Sequence, residues 1–404
     1  MAAHPAFRHS MRDDYAYYRD LFRGRAMPLA FVDREALDRN VDAVRDRADG
    51  LPVRVASKSV RCRAVLEDLL DRDGLEGVMS YDPREAAWLS DEGIDDLLVA
   101  YPAVNEDALR AAAERVDDGA LIRLMVDSES HVDRIADVAD AFGAEVPVCI
   151  DLDMSVKYPG VHFGVQRSPV RSPGDARVLA EHVAATEGVR LDGLMGYEAQ
   201  IAGLPDRSPA NNAAVDAVIR TLKKRSASTV IERRERAVER IESEVGELAV
   251  VNGGGTGSLE VTREDDSVTE VTVGSGFYAP ALFDGYDAFQ HDPAAGYAVE
   301  VVREPEQGVY TCSGGGYVSS GPADAASAPV VAMPRRADLT DQEGAGEVQT
   351  PIEYGGDLSL GDPVVMRHAK AGELCRTFDE LLFVDDGEVA GAAPTYRGEG
   401  ETFL

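Results

Sequence analysis

The chain has 404 residues, with 73 acidic and 41 basic side chains and a formal net charge of -32. This length is sufficient for two domains, or for one large barrel with an appended domain. A surface this acidic argues against nucleic acid or an anionic membrane as a partner bound through a basic patch.

The amino-terminal segment and the cysteines favour an intracellular protein. Residues 1–26 form a polar leader without the apolar core of a secretory signal, and no stretch of about 18 apolar residues is present to span a bilayer. Cys62, Cys149, Cys312 and Cys375 are widely spaced and include no CxxC pair, so we expect free thiols. We therefore predict a cytoplasmic protein.

Short apolar runs alternate with helical segments along the first two thirds of the chain. The first strand candidate, Met27 to Val32, precedes a helix that begins at Asp33. Eight further candidates follow: Val53 to Lys58, Gly77 to Ser80, Asp96 to Tyr101, Leu121 to Asp127, Val146 to Asp153, Leu191 to Glu198, Leu248 to Val251 and Thr269 to Val273. Alternating strands and helices are typical of a parallel sheet, and eight strands over about 220 residues predict an α/β fold of the TIM type, a (β/α)8 barrel.

The longest helical segment, Pro209 to Val245, contains the charged sequence Glu-Arg-Arg-Glu-Arg at residues 232–236. We interpret this run as a solvated helix face with ion pairs between positions i and i+4. A partner-binding face is the alternative.

Beyond residue 277 the pattern changes to short β-type runs separated by Gly, Pro and Asp. These runs are Tyr297 to Val302, Gly308 to Thr311, Pro329 to Met333, Pro363 to Arg367 and Leu381 to Val384. The sequence thus predicts a barrel over residues 27–277, followed by a C-terminal β domain over residues 278–404. The first strand of the barrel region is also a candidate member of the β domain.

Lysine is scarce, since only five of the 41 basic residues are Lys, at positions 58, 157, 223, 224 and 370. Lys58 alone lies at the carboxyl end of an apolar strand, where the functional groups of a barrel project. A partly buried lysine amine can lose its charge and form a Schiff base with a carbonyl compound. We therefore take Lys58 as the first candidate for a catalytic residue; the alternative is a surface lysine at a strand end.

The seventh and eighth barrel strands lead into turns rich in small residues. Residues 252–258 read Asn-Gly-Gly-Gly-Thr-Gly-Ser, and residues 274–278 read Gly-Ser-Gly-Phe-Tyr. Backbone N–H groups in such turns can converge on an anion, and phosphate sites of this fold favour the loops after strands seven and eight. A flexible turn is the alternative. A nucleophilic lysine opposite a phosphate cradle suggests pyridoxal 5'-phosphate (PLP).

From Met27 to the C-terminus the chain resembles the alanine-racemase-like, fold-type III PLP family. Within it, the chain is similar to the D-threonine aldolase and D-serine dehydratase branch, often labelled amino acid deaminase/aldolase. The resemblance rests on residues 53–59, on the two glycine turns, and on residues 194–200, which resemble the branch's Y-E-G-H segment with Ala199 and Gln200 replacing Gly and His. It implies Lys58 as the Schiff-base lysine, with cofactor contacts from Tyr197, Gln200, Gly254, Gly255, Thr256, Gly257, Ser275, Gly276 and Tyr278.

The branch also carries a metal site with an H-x-C or H-x-D motif. Cys375 matches the Cys of that motif, Glu373 stands where the His would be, and His368 lies five residues earlier. Imidazole, carboxylate and thiolate are competent ligands for Zn, and the first two also suit Mn. The resemblance thus implies a divalent metal held by these three residues. The alternative is a hydrogen-bonded histidine and a small buried cysteine.

The resemblance implies a homodimeric, PLP-dependent lyase that acts on β-hydroxy D-amino acids. The reaction would be retro-aldol cleavage or dehydration followed by deamination. One rival is an amino acid racemase, which needs a second base opposite the lysine, commonly a Tyr from the β domain of a partner subunit. Tyr310, Tyr317 and Tyr354 are the candidates. The other rival is a non-catalytic PLP-binding protein, although such carriers are essentially single barrels without a β domain.

An acidic, lysine-poor surface also suits a protein from concentrated salt, a halophilic one. In 1 M salt the Debye length shrinks to about 3 Å, which screens the repulsion between carboxylates. We predict that the melting temperature rises from low to molar KCl, measured by circular dichroism. Equal melting temperatures at the two salt concentrations would contradict this prediction.

Overall fold

The computed structural model describes residues 11–12, 14–317 and 326–403. Residues 1–10 and 13 of the predicted leader lie outside the described residues. Within the described ranges, one group of strands closes a barrel and another forms a nine-stranded mixed sheet.

The strands of the described residues, in chain order, are β1 (Leu29–Asp33), β2 (Val53–Ala56), β3 (Leu75–Ser80), β4 (Leu97–Val99), β5 (Ile122–Val126), β6 (Val146–Asp151), β7 (Val156–Tyr158), β8 (Val161–Phe163), β9 (Val189–Gly196), β10 (Val250–Gly253), β11 (Glu270–Val273), β12 (Ala295–Glu306), β13 (Val309–Ser313), β14 (Val330–Met333), β15 (Asp338–Leu339), β16 (Gln349–Glu353), β17 (Pro363–Arg367), β18 (Glu380–Asp385) and β19 (Glu388–Pro394).

The helices are α1 (Tyr15–Leu21), α2 (Arg34–Ala48), α3 (Ser57–Val60), α4 (Arg63–Leu70), α5 (Pro83–Asp91), α6 (Glu106–Asp117), α7 (Glu129–Asp140), α8 (Pro173–Ala185), α9 (Ala199–Ala202), α10 (Ala213–Val245), α11 (Leu259–Thr262), α12 (Ser275–Tyr278), α13 (Glu373–Thr377) and α14 (Tyr396–Glu399), and Ala281–Gly285 forms a 3-10 turn. In the part of the chain that is described, none of these helices is both long enough and apolar enough to cross a membrane.

The barrel is built from the eight strands that the alternating pattern predicts. Its order is β2, β3, β4, β5, β6, β9, β10 and β11, all parallel, and β11 closes against β2 through the pair Val271 and Val53. The (β/α)8 prediction is confirmed. The hairpin of β7 and β8 is an insertion after β6, and the sequence pattern did not predict it.

A network of buried ion pairs fills the barrel at the amino-terminal end of its strands. Arg54 donates from Nε to Glu270 Oε1 at 2.6 Å and from Nη2 to Asp96 Oδ1 at 3.0 Å. Arg123 continues the network to Asp96 and Asp192. We call these five residues the barrel floor, and they leave the opposite end for the functional groups.

Above the barrel floor lies a layer of sulfur-containing and aliphatic side chains, formed by Leu98, Met125, Cys149 and Met195 with Met79 packed against them. Cys149, like the other three cysteines of the chain, is a buried free thiol. This layer separates the charged floor from the carboxyl-end cavity.

The second sheet begins with the first strand of the chain. β1 pairs antiparallel with β12 and parallel with β18, so it lies between two C-terminal strands and outside the barrel. Helix α1 of the leader packs on this sheet, because the rings of Tyr18 and Phe22 contact Phe31 with centroid distances of 6.1 and 5.2 Å. The chain passes from barrel to sheet between α12 and β12, just beyond the boundary predicted at residue 277, which lies within α12.

We predict that Arg54→Met lowers the free energy of unfolding by about 3–5 kcal/mol, because Glu270 and Asp96 then keep buried or half-buried charges without their cation. Arg110→Met is the control, since it removes an exposed ion pair with Glu106 and should cost about 0–1 kcal/mol. Urea unfolding measures both values. Equal losses in the two variants would show that the barrel floor does not stabilise the fold.

Candidate functional site

A cavity of about 380 Å³ opens at the carboxyl ends of the barrel strands. Its charged lining residues are Lys58, Arg167 and Lys370, and no Asp or Glu of the described residues lines it. This is notable because acidic residues outnumber basic ones by 73 to 41 in the chain. The cavity therefore offers a positive environment that suits anionic ligands.

Lys58 lies in this cavity, but not at the end of a strand. β2 ends at Ala56, and the single helical turn α3 places the exposed Lys58 side chain over the barrel mouth. Lys58 Nζ donates to Tyr101 Oη at 3.0 Å. The turn is supported from below, where the buried Tyr278 hydroxyl donates to the Val60 carbonyl oxygen at 3.2 Å.

Tyr101 is a site residue that sequence reasoning missed. Burial of its ring tends to raise the pKa of the phenol, but the nearby charges of Lys58 and Arg167 outweigh burial and lower it. Tyr101 is therefore suited to exchange a proton beside Lys58. The sequence contained a signal for this residue, because Tyr101 ends the third predicted barrel strand. The sequence analysis assigned no role to that strand end.

Arg167 is the second missed residue. It lies beyond the β7–β8 hairpin in an irregular segment, where no sequence pattern indicated a site. Its Nε donates to Asp151 Oδ2 at 2.8 Å, and its Nη2 donates to the Ala100 carbonyl oxygen at 2.6 Å. Its guanidinium lies 4.9 Å from the Tyr101 ring centroid. These contacts fix a positive charge in the cavity wall.

The glycine loop after β10 provides the predicted anion-binding turn. Gly254, Gly255 and Thr256 line the cavity. The N–H groups of Gly255 and Thr256 have no acceptor among the described residues, so they are available to a ligand. Glycine is favoured at residue 255, because a Cβ there would lie 3.0 Å from the Ala202 Cβ and 3.1 Å from the Tyr197 ring, and these neighbours would have to shift.

The second turn, after β11, completes the cradle. Ser275 lines the cavity, and its Oγ lies 3.2 Å from the Oγ of Ser59, another residue that the sequence analysis missed. Gly276 N–H donates to Thr256 Oγ1 at 2.9 Å and ties the two turns together. The unpaired amides of Gly255 and Thr256 and the hydroxyl pair of Ser59 and Ser275 thus belong to residues that line the same cavity, and such donors are suited to bind phosphate.

Tyr197 lines the cavity as predicted, and burial followed by the charge of Glu198 raises the pKa of its phenol to about 12. Four other predicted cofactor contacts, Gln200, Gly257, Gly276 and Tyr278, do not line it. Gln200 donates from Nε2 to the Met154 carbonyl oxygen at 2.8 Å, and Gly257 is buried against Tyr286 and Ala202. Gly276 ties the two turns together, and Tyr278 supports the Lys58 turn.

The predicted metal ligands do not converge. Within the described ranges, no group of three or more His, Cys, Asp and Glu side chains is placed to hold a metal ion. Cys375, on α13, faces Tyr278, and burial raises the pKa of its thiol well above the ordinary value. Burial, and then the charge of Arg367, lower the pKa of His368 to about 3, so its ring is neutral. The three-residue metal site with Glu373 is not assembled, and these residues do not fit a metal in this arrangement.

The cavity does fit PLP. Its volume lies in the range of small-molecule sites, its cradle offers two backbone N–H groups and the hydroxyl pair of Ser59 and Ser275 to a phosphate, and Lys58 is exposed in it. The absence of acidic lining among the described residues also suits an anionic cofactor and the carboxylate of an amino acid.

Comparisons with known proteins agree with this geometry. The family model described as alanine racemase, N-terminal domain, matches residues 32–279. A curated relative, the 3-hydroxy-D-aspartate aldolase of Paracoccus denitrificans, is 24% identical over 253 residues. The match covers 61% of this chain and 59% of that relative, which is less than two thirds of the relative's length.

Solved structures share the fold over nearly the whole chain. The D-threonine aldolase from Filomicrobium marinum has a TM-score of 0.78 at 19% identity, covering 92% of this chain and 95% of that one. The D-threo-3-hydroxyaspartate dehydratase from Delftia sp. HT23 has a TM-score of 0.71 at 18% identity, covering 92% and 98%. At these identities the likeness establishes the common fold.

A buried carboxyl group lies beneath the Lys58 turn. Glu85, on α5, is fully buried, and its Oε2 accepts from the Tyr81 backbone N–H at 2.7 Å. The side chains of Ser57 and Tyr396 lie close to it, but Glu85 Oε1 has no hydrogen-bond partner among the described residues. Burial outweighs these contacts and raises the pKa of Glu85 to about 7. Its ionisation therefore lies in the physiological pH range.

We predict that Glu85 makes the fold less stable as pH rises. The folded protein holds a proton on Glu85 that the unfolded chain releases at its ordinary pKa of 4.5, so the free energy of unfolding falls from that pH to about 7. The expected fall due to this group is about 3 kcal/mol, and Glu85→Gln should remove it. Urea unfolding at pH 5 and pH 8 measures the difference between variant and wild type. The exposed Glu106→Gln serves as control, and an unchanged pH dependence in Glu85→Gln would refute the prediction.

Proposed function

The chain belongs to the alanine racemase N-terminal domain family, and on that basis we propose that it is a PLP-dependent lyase acting on β-hydroxy D-amino acids. The observation that carries the proposal is the position of Lys58, exposed in a cavity opposite the glycine cradle. The names of the relatives, two aldolases and a dehydratase, support the same class of reaction. A small amino acid is the proposed substrate.

The residues of the cavity divide into three roles in this proposal. Lys58 would hold the cofactor through its amine, and the amides of Gly255 and Thr256 with the hydroxyls of Ser59 and Ser275 would hold its phosphate. Bound PLP supplies an electron sink for the charge that develops at the substrate Cα. The remaining steps belong to the side chains around Lys58.

In retro-aldol cleavage, we assign the proton transfers to the pair formed by Tyr101 and Lys58. Tyr101 Oη accepts the proton of the β-hydroxyl, the bond between Cα and Cβ breaks, and an aldehyde leaves. Lys58 then donates a proton to Cα to give glycine. Their 3.0 Å hydrogen bond allows the proton to pass between them. Arg167 contributes positive charge that favours binding of the substrate carboxylate.

In dehydration, the same pair would act in the opposite sense. Lys58 takes the proton from Cα, and Tyr101 donates a proton to the departing hydroxyl, so that water leaves. Hydrolysis of the released enamine, through its imine tautomer, consumes a water molecule and gives ammonia and a keto acid. Neither route is assigned a metal-dependent step, because His368, Glu373 and Cys375 do not converge.

A cytoplasmic location, a homodimeric state and adaptation to salt remain predictions.

The two rivals have less support. The racemase reading requires a second base from the β domain of a partner subunit, and the hydroxyl of one candidate, Tyr310, already donates to the Gly356 carbonyl oxygen at 3.0 Å. The carrier reading conflicts with the nine-stranded sheet beside the barrel.

We predict that the PLP-loaded protein consumes β-hydroxy D-amino acids and that Lys58→Ala abolishes both turnover and the visible absorbance band of the bound cofactor. Tyr101→Phe should keep the band but lower kcat by about 100-fold, because the proton acceptor is lost. Analysis of the products formed from D-threonine, D-serine and 3-hydroxy-D-aspartate identifies the type of reaction. Glycine plus an aldehyde identifies an aldolase, and ammonia plus a keto acid identifies a dehydratase.

The L-isomers of the same amino acids are the control. Conversion of a D-amino acid into its L-isomer without other products would establish the racemase instead. A visible band that survives in Lys58→Ala would refute the assignment of the Schiff-base lysine.

A further inference from the structure

A buried charged cluster lies directly behind the glycine loop. Arg234, on α10, is fully buried, although the sequence predicted a solvated face for residues 232–236. Its Nη2 lies 3.4 Å from Glu198 Oε2, and its Nε lies 3.3 Å from Asp265 Oδ2. Both carboxylates are also buried. The solvated-face interpretation holds for the exposed Arg236, which pairs with Glu232, and is wrong for Arg234.

Glu198 contacts the start of the glycine loop and the short helix that follows the loop. Its Oε2 accepts from the Gly254 N–H at 3.3 Å, where the loop begins. Its Oε1 accepts from the hydroxyl of Thr262, at the end of α11. The Thr262 hydroxyl oxygen also lies 3.0 Å from the Ser258 carbonyl oxygen. One carboxylate thus fixes the chain at residues 254 and 262, and the amides of Gly255 and Thr256 lie between these two points without an acceptor among the described residues.

Arg234 supports the loop from its outer side. Its Nη1 occupies the space where a side chain at residue 253 would be, since a Cβ there would lie 2.3 Å from this nitrogen. This Nη1 has no hydrogen-bond acceptor among the described residues, so packing against the loop accounts for its position. The guanidinium also neutralises Glu198, which would otherwise be an isolated buried charge.

We propose that Glu198 and Arg234 are positioning residues that hold the glycine loop in the shape that binds a phosphate monoester. Neither side chain lines the cavity. They act through the backbone of residues 253–258. The inference rests on the proposed function for the identity of the phosphate compound, PLP, but the loop and its support are defined without it.

The test compares PLP with pyridoxal, which has the same aldehyde and lacks the phosphate. In Glu198→Gln, we expect the Kd of the apo-protein for PLP to rise about tenfold or more, because a hydrogen bond to a charged group contributes about 1.5–3 kcal/mol. The Kd for pyridoxal should stay within about twofold, since Lys58 is untouched. Arg234→Lys should give the same pattern, and a double variant should not exceed the larger single effect by much, because both act on one loop.

Thr262→Val removes the hydrogen bond from the Thr262 hydroxyl to Glu198 and keeps the side-chain volume. It provides the test if the charge variants fold poorly. It should weaken PLP selectively by a smaller factor. Arg236→Gln, on the exposed face of the same helix, is the matched control and should bind both compounds as the wild type does. Circular dichroism verifies the fold of each variant.

Two results would overturn the inference: equal weakening of PLP and pyridoxal in folded variants, or unchanged PLP affinity. Titration of the apo-proteins with inorganic phosphate separates this inference from the proposed function. If wild type binds phosphate and Glu198→Gln does not, the loop assignment stands, even if the visible band survives in Lys58→Ala and the Schiff-base lysine is refuted. If phosphate binding is the same in both, the loop assignment fails whatever the enzyme catalyses.

Discussion

The barrel floor is the constraint on which the rest of the structure depends. Arg54, on β2, reaches Glu270 on the neighbouring strand β11 and Asp96 just before β4, so one guanidinium joins parts of the barrel that are distant in sequence. The same charges occupy the amino-terminal end of the barrel. The cavity, Lys58 and both glycine turns lie at the opposite end.

The electrostatics of the molecule are divided between surface and cavity. The chain carries a net charge of -32, yet the described lining of the cavity has lysine and arginine and no carboxylate. Carboxylates that approach the site are held away from it by specific partners: Asp151 by Arg167, and Glu198 by Arg234. The protein thus keeps a positive cavity within an acidic molecule by pairing the acidic groups behind the wall.

More of the fold than of the candidate site could be predicted from the sequence. Alternating apolar runs located the eight barrel strands, because burial on both faces of a parallel strand leaves a strong local pattern. Lys58 and the glycine loop were found because function in this fold is tied to strand ends. Arg167 and Ser59 were missed for lack of a local pattern, and Arg234 was misread, since residues around it on α10 are exposed and its burial depends on a loop distant in sequence. The metal ligands were assigned by matching this sequence to the family motif. Sequence spacing alone does not determine the direction in which His368 and Cys375 point.

The pairing of β1 with β18 joins residues 30–33 to residues 381–384. During synthesis the barrel has all its strands once residue 273 has emerged, whereas β1 must wait for more than a hundred further residues before this neighbour exists. The two sheets therefore differ greatly in the sequence separation of their contacts, and contacts of long separation form slowly. The barrel can assemble while the chain is still growing, and the second sheet is completed only when the last strands arrive.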